Sequence, residues 1–264
     1  MNNNTTPLEI LNVTFGYPGN KYYLFKDVNI SLNPGELSIL SGENGSGKST
    51  LMGLTVGSLI PTRGTVRVFG ETPTKLDRIP EVALISEPLH SQTSAIPAWF
   101  TGRKISQWLE NLGSVKEKDV YKKAEELHLT SDLINRPLYS YSKGQRQRFM
   151  LATVLARNPR LILADEPLEG IDAHSRPLIC ESFHNYTRQG GTLLWISHQL
   201  DETLFYADRF FVLENREISE KTARQFSVRC GEKNVNITSL TQLSGIVKEQ
   251  LNHTNAATVY VTKN

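Results

Sequence analysis

The stretch Gly42-Glu43-Asn44-Gly45-Ser46-Gly47-Lys48-Ser49 decides how this chain folds. It follows a short apolar run, residues 37–40, and precedes residues 50–59, whose pattern predicts a helix that stops near Pro61. A strand, a glycine-rich loop and a helix in this order aim backbone N–H groups and the positive end of the helix at a phosphate. We expect Lys48 to neutralise the outer phosphates and the Ser49 hydroxyl to ligate Mg²⁺.

Two further buried strands lie downstream of this loop. Residues 161–164 end at Asp165-Glu166, and residues 192–196 end at Ser197-His198. Because helical segments separate the strands, the pattern predicts an α/β fold with a mostly parallel core sheet. Ligands of such sheets bind beyond the carboxyl ends of the strands. The loop, the acidic pair and the histidine are therefore predicted to converge.

The rest of the chain predicts additions to this core. Residues 8–13, 28–32 and 66–68 alternate apolar and polar side chains, which indicates an antiparallel β flank. Residues 88–158 read as a helical insertion. Residues 220–264 are polar and less patterned, and we interpret them as a small C-terminal α/β extension of unknown role, with a last strand near residues 258–261.

Charge and composition narrow the class of partner. The net charge is +2 over 264 residues, which favours neither nucleic acid nor a charged membrane surface as the main partner. The sequence contains no run of about 18 apolar residues and begins without an apolar signal core, so we expect contact with a membrane only through another chain. Cys180 and Cys230 have no metal or redox spacing, which favours a reduced cytosolic compartment.

The adjacent carboxylates of Asp165 and Glu166 indicate a cation site at a strand end. Two neighbouring carboxylates there are unfavourable unless a cation compensates them. Asp165 suits a second contact to Mg²⁺, and Glu166 would then polarise an attacking water molecule. The alternative is a surface acidic turn before Pro167, which the preceding apolar run disfavours.

Ser142-Lys143-Gly144-Gln145 predicts a helix start. Ser-x-x-Gln is a capping box, so the helix begins just after Ser142, and Asn158-Pro159 ends it. A helix start with a bare glycine can seat a phosphate. By itself, a plain helix cap is the more economical interpretation.

Taken with the flanking Tyr141, this segment resembles the Leu-Ser-Gly-Gly-Gln signature of ATP-binding-cassette (ABC) ATPases. The resemblance covers about residues 8–218, and the loop, signature and acidic strand follow the order of the family. Glu169-Gly170-Ile171-Asp172 is similar to its D-loop, Tyr17 to its adenine-stacking aromatic and His198 to its γ-phosphate sensor. The resemblance implies a P-loop NTPase of ABC type, with a nucleotide-binding domain at residues 1–219 followed by the C-terminal extension.

The resemblance also implies ATP as the substrate, Mg²⁺ as the metal and a second cassette as a partner. Two cassettes would sandwich ATP between the phosphate loop of one and the signature of the other, as a homodimer or a paralogous heterodimer. Glu166, His198 and Lys48 are the implied catalytic residues. The implied nucleotide contacts are Tyr17, Gly42, Glu43, Asn44, Gly45, Ser46, Gly47, Lys48, Ser49, Thr50, Ser142, Gly144, Gln145 and Asp172.

One position departs from the family pattern in the metal shell. A glutamine normally contacts Mg²⁺ there, and Glu87 occupies the aligned position, with Gln92 as the alternative if the register differs. A carboxylate can still ligate Mg²⁺, so the metal ligands would be Ser49, Asp165 and Glu87. The glutamate and the Ser-Lys-Gly-Gln signature are similar to the branch serving exporters of drugs, antibiotics, peptides, ions, surface lipids and polysaccharides.

That branch implies transmembrane permease subunits in separate chains and a peripheral location at the cytoplasmic face of the cell membrane. The alternatives are an importer ATPase, a soluble ABC protein acting outside transport, and an ATP-gated module with little turnover. Trp99, Phe100 and Trp108 fit either a docking surface for the permease or the small core of the helical insertion.

Overall fold

The computed structural model describes residues 5–73, 81–85, 96–173, 175–197, 203–221, 226–230, 233–236 and 260–263. Its strands are β1 (Leu8–Phe15), β2 (Phe25–Leu32), β3 (Leu37–Gly42), β4 (Arg63–Val68), β5 (Val82–Ile85), β6 (Leu161–Asp165), β7 (Thr192–Ile196), β8 (Arg209–Glu214), β9 (Glu217–Lys221), β10 (Phe226–Cys230), β11 (Lys233–Asn236) and β12 (Tyr260–Lys263). Its helices are α1 (Lys48–Thr55), α2 (Gly102–Asn111), α3 (Glu117–Glu126), α4 (Ser131–Ile134), α5 (Lys143–Arg157) and α6 (Arg176–Arg188).

The central sheet has the strand order β5-β6-β7-β3-β8-β9. Neighbouring strands are parallel from β5 to β8, and β9 pairs antiparallel with β8. Strand β7 lies between β6 and β3 and pairs in parallel with both. The carboxyl ends of these three strands therefore lie side by side. The predicted α/β fold with a mostly parallel sheet is confirmed, and the order brings Gly42, Asp165 and Ile196 to one edge.

Both faces of the central sheet are covered. Leu161 and Leu163 pack in the cluster that includes β1 and β2, whereas Ile162 and Ala164 pack in the cluster that includes α5 and α6. This alternation follows from the two-residue period of a strand, and burial on both faces explains the continuous apolar runs of the parallel strands. The flank predicted as antiparallel forms a sheet in the order β2-β1-β4.

Helix α1 is shorter than the sequence pattern predicts. The predicted helix covered residues 50–59, but α1 starts at Lys48 and ends at Thr55. The N–H of Val56 still bonds the Met52 carbonyl, and Gly57 then adopts φ +75°, which carries the chain out of the helix. The prediction was wrong at its end because a glycine turn stops the helix before Pro61 does.

The remaining elements frame the core. Helices α2 to α5 lie within residues 88–158, where the insertion is predicted, and the predicted helix after Ser142 is confirmed with its capping box and an Asn158 cap in the left-handed region. Strands β11, β10 and β12 form a separate antiparallel sheet. Within the described residues, none of the helices combines the length and apolar character needed to span a bilayer.

Candidate functional site

The phosphate loop, residues 42–49, joins the end of β3 to the start of α1. Gly45 and Gly47 have φ values of +82° and +110°, a region that side chains with a Cβ rarely adopt. The buried Lys48 side chain returns to the loop, where Nζ donates to the carbonyls of Gly42 at 2.8 Å and Glu43 at 3.0 Å. The ammonium is thus held within the curve of the loop rather than in solvent.

Close packing explains the first glycine of the loop. A Cβ on Gly42 would lie 2.5 Å from the Leu213 carbonyl oxygen and 2.9 Å from Ser46 Oγ. The Ser46 hydroxyl is itself buried and has no hydrogen-bond partner among the described residues. A buried donor of this kind calls for a ligand acceptor. Together with the Lys48 ammonium and the start of α1, it fits a phosphate group.

The acidic strand end faces the phosphate loop. Burial raises the pKa of Asp165 at the end of β6, and the charge of Glu166 adds to that rise. The Ser49 hydroxyl, in the first turn of α1, and the charge of Lys48 oppose it. A partly buried carboxylate with a raised pKa gains most from a nearby cation.

This donor pair fits Mg²⁺. No cluster of three His, Cys, Asp or Glu side chains suited to a metal occurs in the described part of the chain. Mg²⁺ does not need one, because in nucleotide sites it takes one or two protein oxygens and fills its shell with phosphate oxygens and water. The Ser49 hydroxyl and the Asp165 carboxylate supply that number.

Glu166 occupies an unusual backbone conformation next to Asp165. Its φ is +47°, in the left-handed region, and it precedes Pro167. Its N–H donates to the Ile196 carbonyl at 3.0 Å, and its own carbonyl accepts from the N–H of Glu169 at 3.0 Å. The chain therefore turns sharply at Glu166 as it leaves the sheet, at the same edge as the phosphate loop.

Tyr17 lies in the loop after β1 and is tied to α1. Its hydroxyl shares a 2.9 Å hydrogen bond with the Thr50 hydroxyl, and its ring stands edge-on to Phe15 at 5.0 Å. The ring remains 43% exposed, so a planar ligand can stack on it. The structure thus places Tyr17 beside the helix that follows the phosphate loop.

The predicted signature forms a second group with the predicted D-loop. Ser142 caps α5 by accepting from the N–H of Gln145, and a Cβ on Gly144 would lie 3.4 Å from Asp172 Oδ2. Hydrogen bonds from Ser175 lower the pKa of Asp172. The start of α5 is therefore packed at Gly144 against the predicted D-loop, beside the Asp172 carboxylate.

Gln147 was missed by sequence reasoning. Its buried side-chain amide donates to the carbonyl of Pro167, the residue after Glu166. No local signal in the sequence marks it, because Gln147 stands between Arg146 and Arg148 in a polar stretch of the helix. Glu87, its alternative Gln92 and His198 lie outside the described residues, and their roles remain predictions.

The aromatic residues of the insertion divide between its core and its surface. Phe100 packs against the main hydrophobic cluster, as the core interpretation required. Trp99 and Trp108 remain 67% and 49% exposed. The Tyr139 ring is also exposed, and the backbone N–H of Tyr139 donates to the Ala98 carbonyl.

Sequence comparisons agree with this geometry. A family model described as ABC transporter matches residues 25–169. A protein of Bacillus anthracis is 30% identical over 220 residues, which cover 82% of this chain but 38% of that protein. The energy-coupling factor transporter ATP-binding protein EcfA2 of Streptococcus sanguinis is 30% identical, covering 72% and 71% of the two chains. The taurine import ATP-binding protein TauB of Pelagibacter ubique is 31% identical, covering 78% and 77%.

Solved structures share the fold. A dimeric ATP-binding cassette in a post-hydrolysis state with ADP and Pi matches with a TM-score of 0.69 and 23% identity, covering 81% of this chain and 97% of that one. The cbiO1 cassette of Clostridium perfringens, part of the transporter complex cbiONQ, matches with a TM-score of 0.70 and 21% identity, covering 94% and 95%. At these identities the likeness establishes the architecture alone.

Proposed function

This chain belongs to the ABC transporter family of ATP-binding subunits, and from this premise we propose that it hydrolyses ATP to power an exporter. The observation that carries the proposal is the placement of the phosphate loop, with the Lys48 ammonium inside its curve, at the sheet edge where β6 ends in Asp165. Glu166 follows Asp165 directly. A phosphate seat, a metal position and a general base on one sheet edge are the parts that phosphoryl transfer to water needs.

The phosphate loop would hold the triphosphate. Lys48 already points into the curve of the loop, and its ammonium can exchange two carbonyl contacts for the outer phosphates. Tyr17 would stack on adenine, because its exposed ring lies beside the same helix. The glycines keep the backbone close to the phosphates.

Ser49, Asp165 and, outside the described residues, Glu87 would hold Mg²⁺. The bound cation supplies neutralisation of charge on the phosphate oxygens. Glu166 would accept a proton from the attacking water molecule, and His198 would contact the outer phosphate. The turn at Glu166 supports this assignment, because it carries the residue off the end of β6 towards the edge where the phosphate loop lies.

The residues at the start of α5 support a function that needs two cassettes. Ser142, Gly144 and Gln145 lie at the start of α5, where the positive end of the helix favours an anion. We propose that they bind the ATP held by a second cassette, with Asp172 at the same contact. The hydrogen bonds described above join Tyr17 and Lys48 to the phosphate loop and its helix, whereas Ser142 bonds within its own turn.

The transmembrane partner would dock on the helical insertion. Trp99 and Trp108 are large apolar side chains that remain exposed, and Leu112, the residue that caps the end of α2, is 61% exposed. Aromatic side chains of this kind are typical of protein interfaces. A permease subunit covering them would place the cassette at the cytoplasmic face of the membrane.

Export rests on the resemblance of the Ser142-Lys143-Gly144-Gln145 signature and of Glu87 to exporter ATPases. Import is the second candidate, because the printed name of one relative, TauB, describes taurine import. The two functions share the nucleotide site and differ in the permease. Only a transport measurement on the whole complex distinguishes them.

The test is transport by the complex copurified from membranes and reconstituted in liposomes with the cassettes outward. A fluorescent cationic dye and a labelled peptide serve as probes. With ATP added outside, export predicts hydrolysis and accumulation of a probe in the lumen. Glu166→Gln should bind ATP yet lose hydrolysis by about 10²- to 10⁴-fold, the usual contribution of a general base.

The outcomes separate the parts of the proposal. Unchanged hydrolysis in Glu166→Gln would remove the base assignment. Hydrolysis with ATP-driven loss of a preloaded probe from the lumen would establish import. If no polytopic membrane protein copurifies, a soluble role replaces transport.

A further inference from the structure

Glu166, the proposed general base, holds a backbone conformation that its own sequence disfavours. A non-glycine residue at φ +47° is strained, and a residue before proline prefers an extended backbone. Such a conformation persists only where surrounding contacts enforce it. The contacts that fix the peptide units around Glu166 therefore determine where its carboxylate points.

Gln147 supplies one of these contacts from another element. Its side chain on α5 is 9% exposed, and its amide nitrogen donates to the carbonyl of Pro167. Because a carbonyl can only accept, the nitrogen of the amide must face it. The bond restrains the Pro167–Leu168 peptide unit, one unit beyond the bond that joins Glu166 to Pro167, and so opposes relaxation of the turn.

The burial of Gln147 is not explained by stability. Its Oε1 is buried without a hydrogen-bond partner among the described residues. Burying half of an amide unsatisfied is unfavourable, so an apolar side chain of equal length would fold at least as well. The glutamine is better explained by the one bond that it makes to the loop.

Lys143 holds the same loop one turn earlier on α5. A Cβ on Gly170 would overlap Cε and Nζ of the Lys143 side chain, so the lysine stem lies across this glycine. Gly170 has φ +71°. The loop of residues 167–172 is thus fixed to α5 at Pro167 by Gln147 and at Gly170 by Lys143.

We propose that Gln147 is a positioning residue that holds Glu166 in its working orientation by restraining the carbonyl of Pro167. This inference rests on the proposed function, in which Glu166 is the general base. It assigns Gln147 no contact with ATP. Its removal should therefore lower kcat and leave nucleotide binding intact.

The test compares Gln147→Met with Gln107→Met, a glutamine on α2 whose amide lies 3.4 Å from Glu117 Oε1. Methionine keeps the length of the side chain and removes the donor. We expect kcat of Gln147→Met to fall about 10- to 100-fold, the effect of misplacing a catalytic group by about 1 Å. KM, ATP affinity and, within about 3 °C, the melting temperature should match those of the wild type and of Gln107→Met.

A double-mutant cycle separates positioning from a general structural role. If Gln147 acts through Glu166, adding Gln147→Met to Glu166→Gln should lower the residual rate less than about 2-fold. Equal losses in both backgrounds, or a wild-type kcat in Gln147→Met, would overturn the inference while leaving the base assignment in place. Wild-type turnover in Glu166→Gln would instead remove the base assignment of the proposed function, on which this inference rests.

Discussion

At the scale of single residues, Tyr17 illustrates what one sequence can and cannot predict. Resemblance assigned it to adenine stacking, and the structure adds the hydrogen bond to Thr50, 33 residues away in the chain. Sequence separation hides such a bond, because nothing local to Tyr17 specifies its partner. The contact fixes the orientation of the ring before any base arrives, which lowers the entropy lost on stacking.

Two substitutions at Tyr17 separate the ring from its hydroxyl. Tyr17→Ala should raise the Kd for ATP by about 5- to 150-fold, because stacking on a base contributes about 1–3 kcal/mol. Tyr17→Phe keeps the ring and loses one hydrogen bond, which contributes about 0.5–1.5 kcal/mol, so a smaller rise is expected. Titration calorimetry measures both changes.

Inorganic tripolyphosphate is the control ligand for these variants. Tripolyphosphate has no nucleobase, so the wild type and Tyr17→Ala should bind it with the same affinity. ATP affinity unchanged in Tyr17→Ala would rule out stacking. A loss shared equally by tripolyphosphate would show that the variant damages the phosphate loop instead.

At the scale of elements, the apolar periodicity of the sequence predicted the strands and helix ends that depend only on neighbouring residues. The strands on both sides of the core, the start of α5 at Ser142 and its end at Asn158 follow from alternation and caps. The strand order did not follow, because the insertion of β3 between β7 and β8 depends on pairing between residues more than 150 positions apart. The early end of α1 depended on a glycine turn that competed with the apolar pattern.

The junction between α6 and β7 offers a test of packing between elements. The Tyr186 ring lies against Gly191, where a Cβ would overlap it. The Tyr186 hydroxyl donates to the Pro159 carbonyl at 2.7 Å, and burial raises the pKa of this phenol. Because the ring is held at its far end, it cannot move aside as a flexible side chain would.

Gly191→Ala should therefore lower the free energy of unfolding by about 1–3 kcal/mol, the usual cost of overpacking. Urea denaturation measures the change. In a Tyr186→Leu background the same substitution should cost much less, because the obstructing ring is absent. Equal costs in the two backgrounds would contradict steric conflict as the cause.

At the scale of the whole molecule, we propose that a second chain completes the candidate site. The phosphate loop, Asp165 and Glu166 lie on one sheet edge, and Ser142 and Gly144 start a helix on the insertion. The sequence could suggest both groups of residues, because strand ends and helix caps are determined by neighbouring residues. It could not specify the contacts between α5 and residues 167–172, because they depend on how the insertion packs on the core.

One copy of each motif predicts a pair of chains around two ATP molecules. Glu166→Gln with ATP and Mg²⁺ should accumulate as a dimer, because nucleotide holds the two chains together and hydrolysis no longer releases them. Light scattering should give twice the 29.7 kDa mass of one chain. Adding Lys48→Ala should return the protein to monomer, since the phosphates lose their cation. A monomer that retains bound ATP in Glu166→Gln would contradict pairing between copies of this chain.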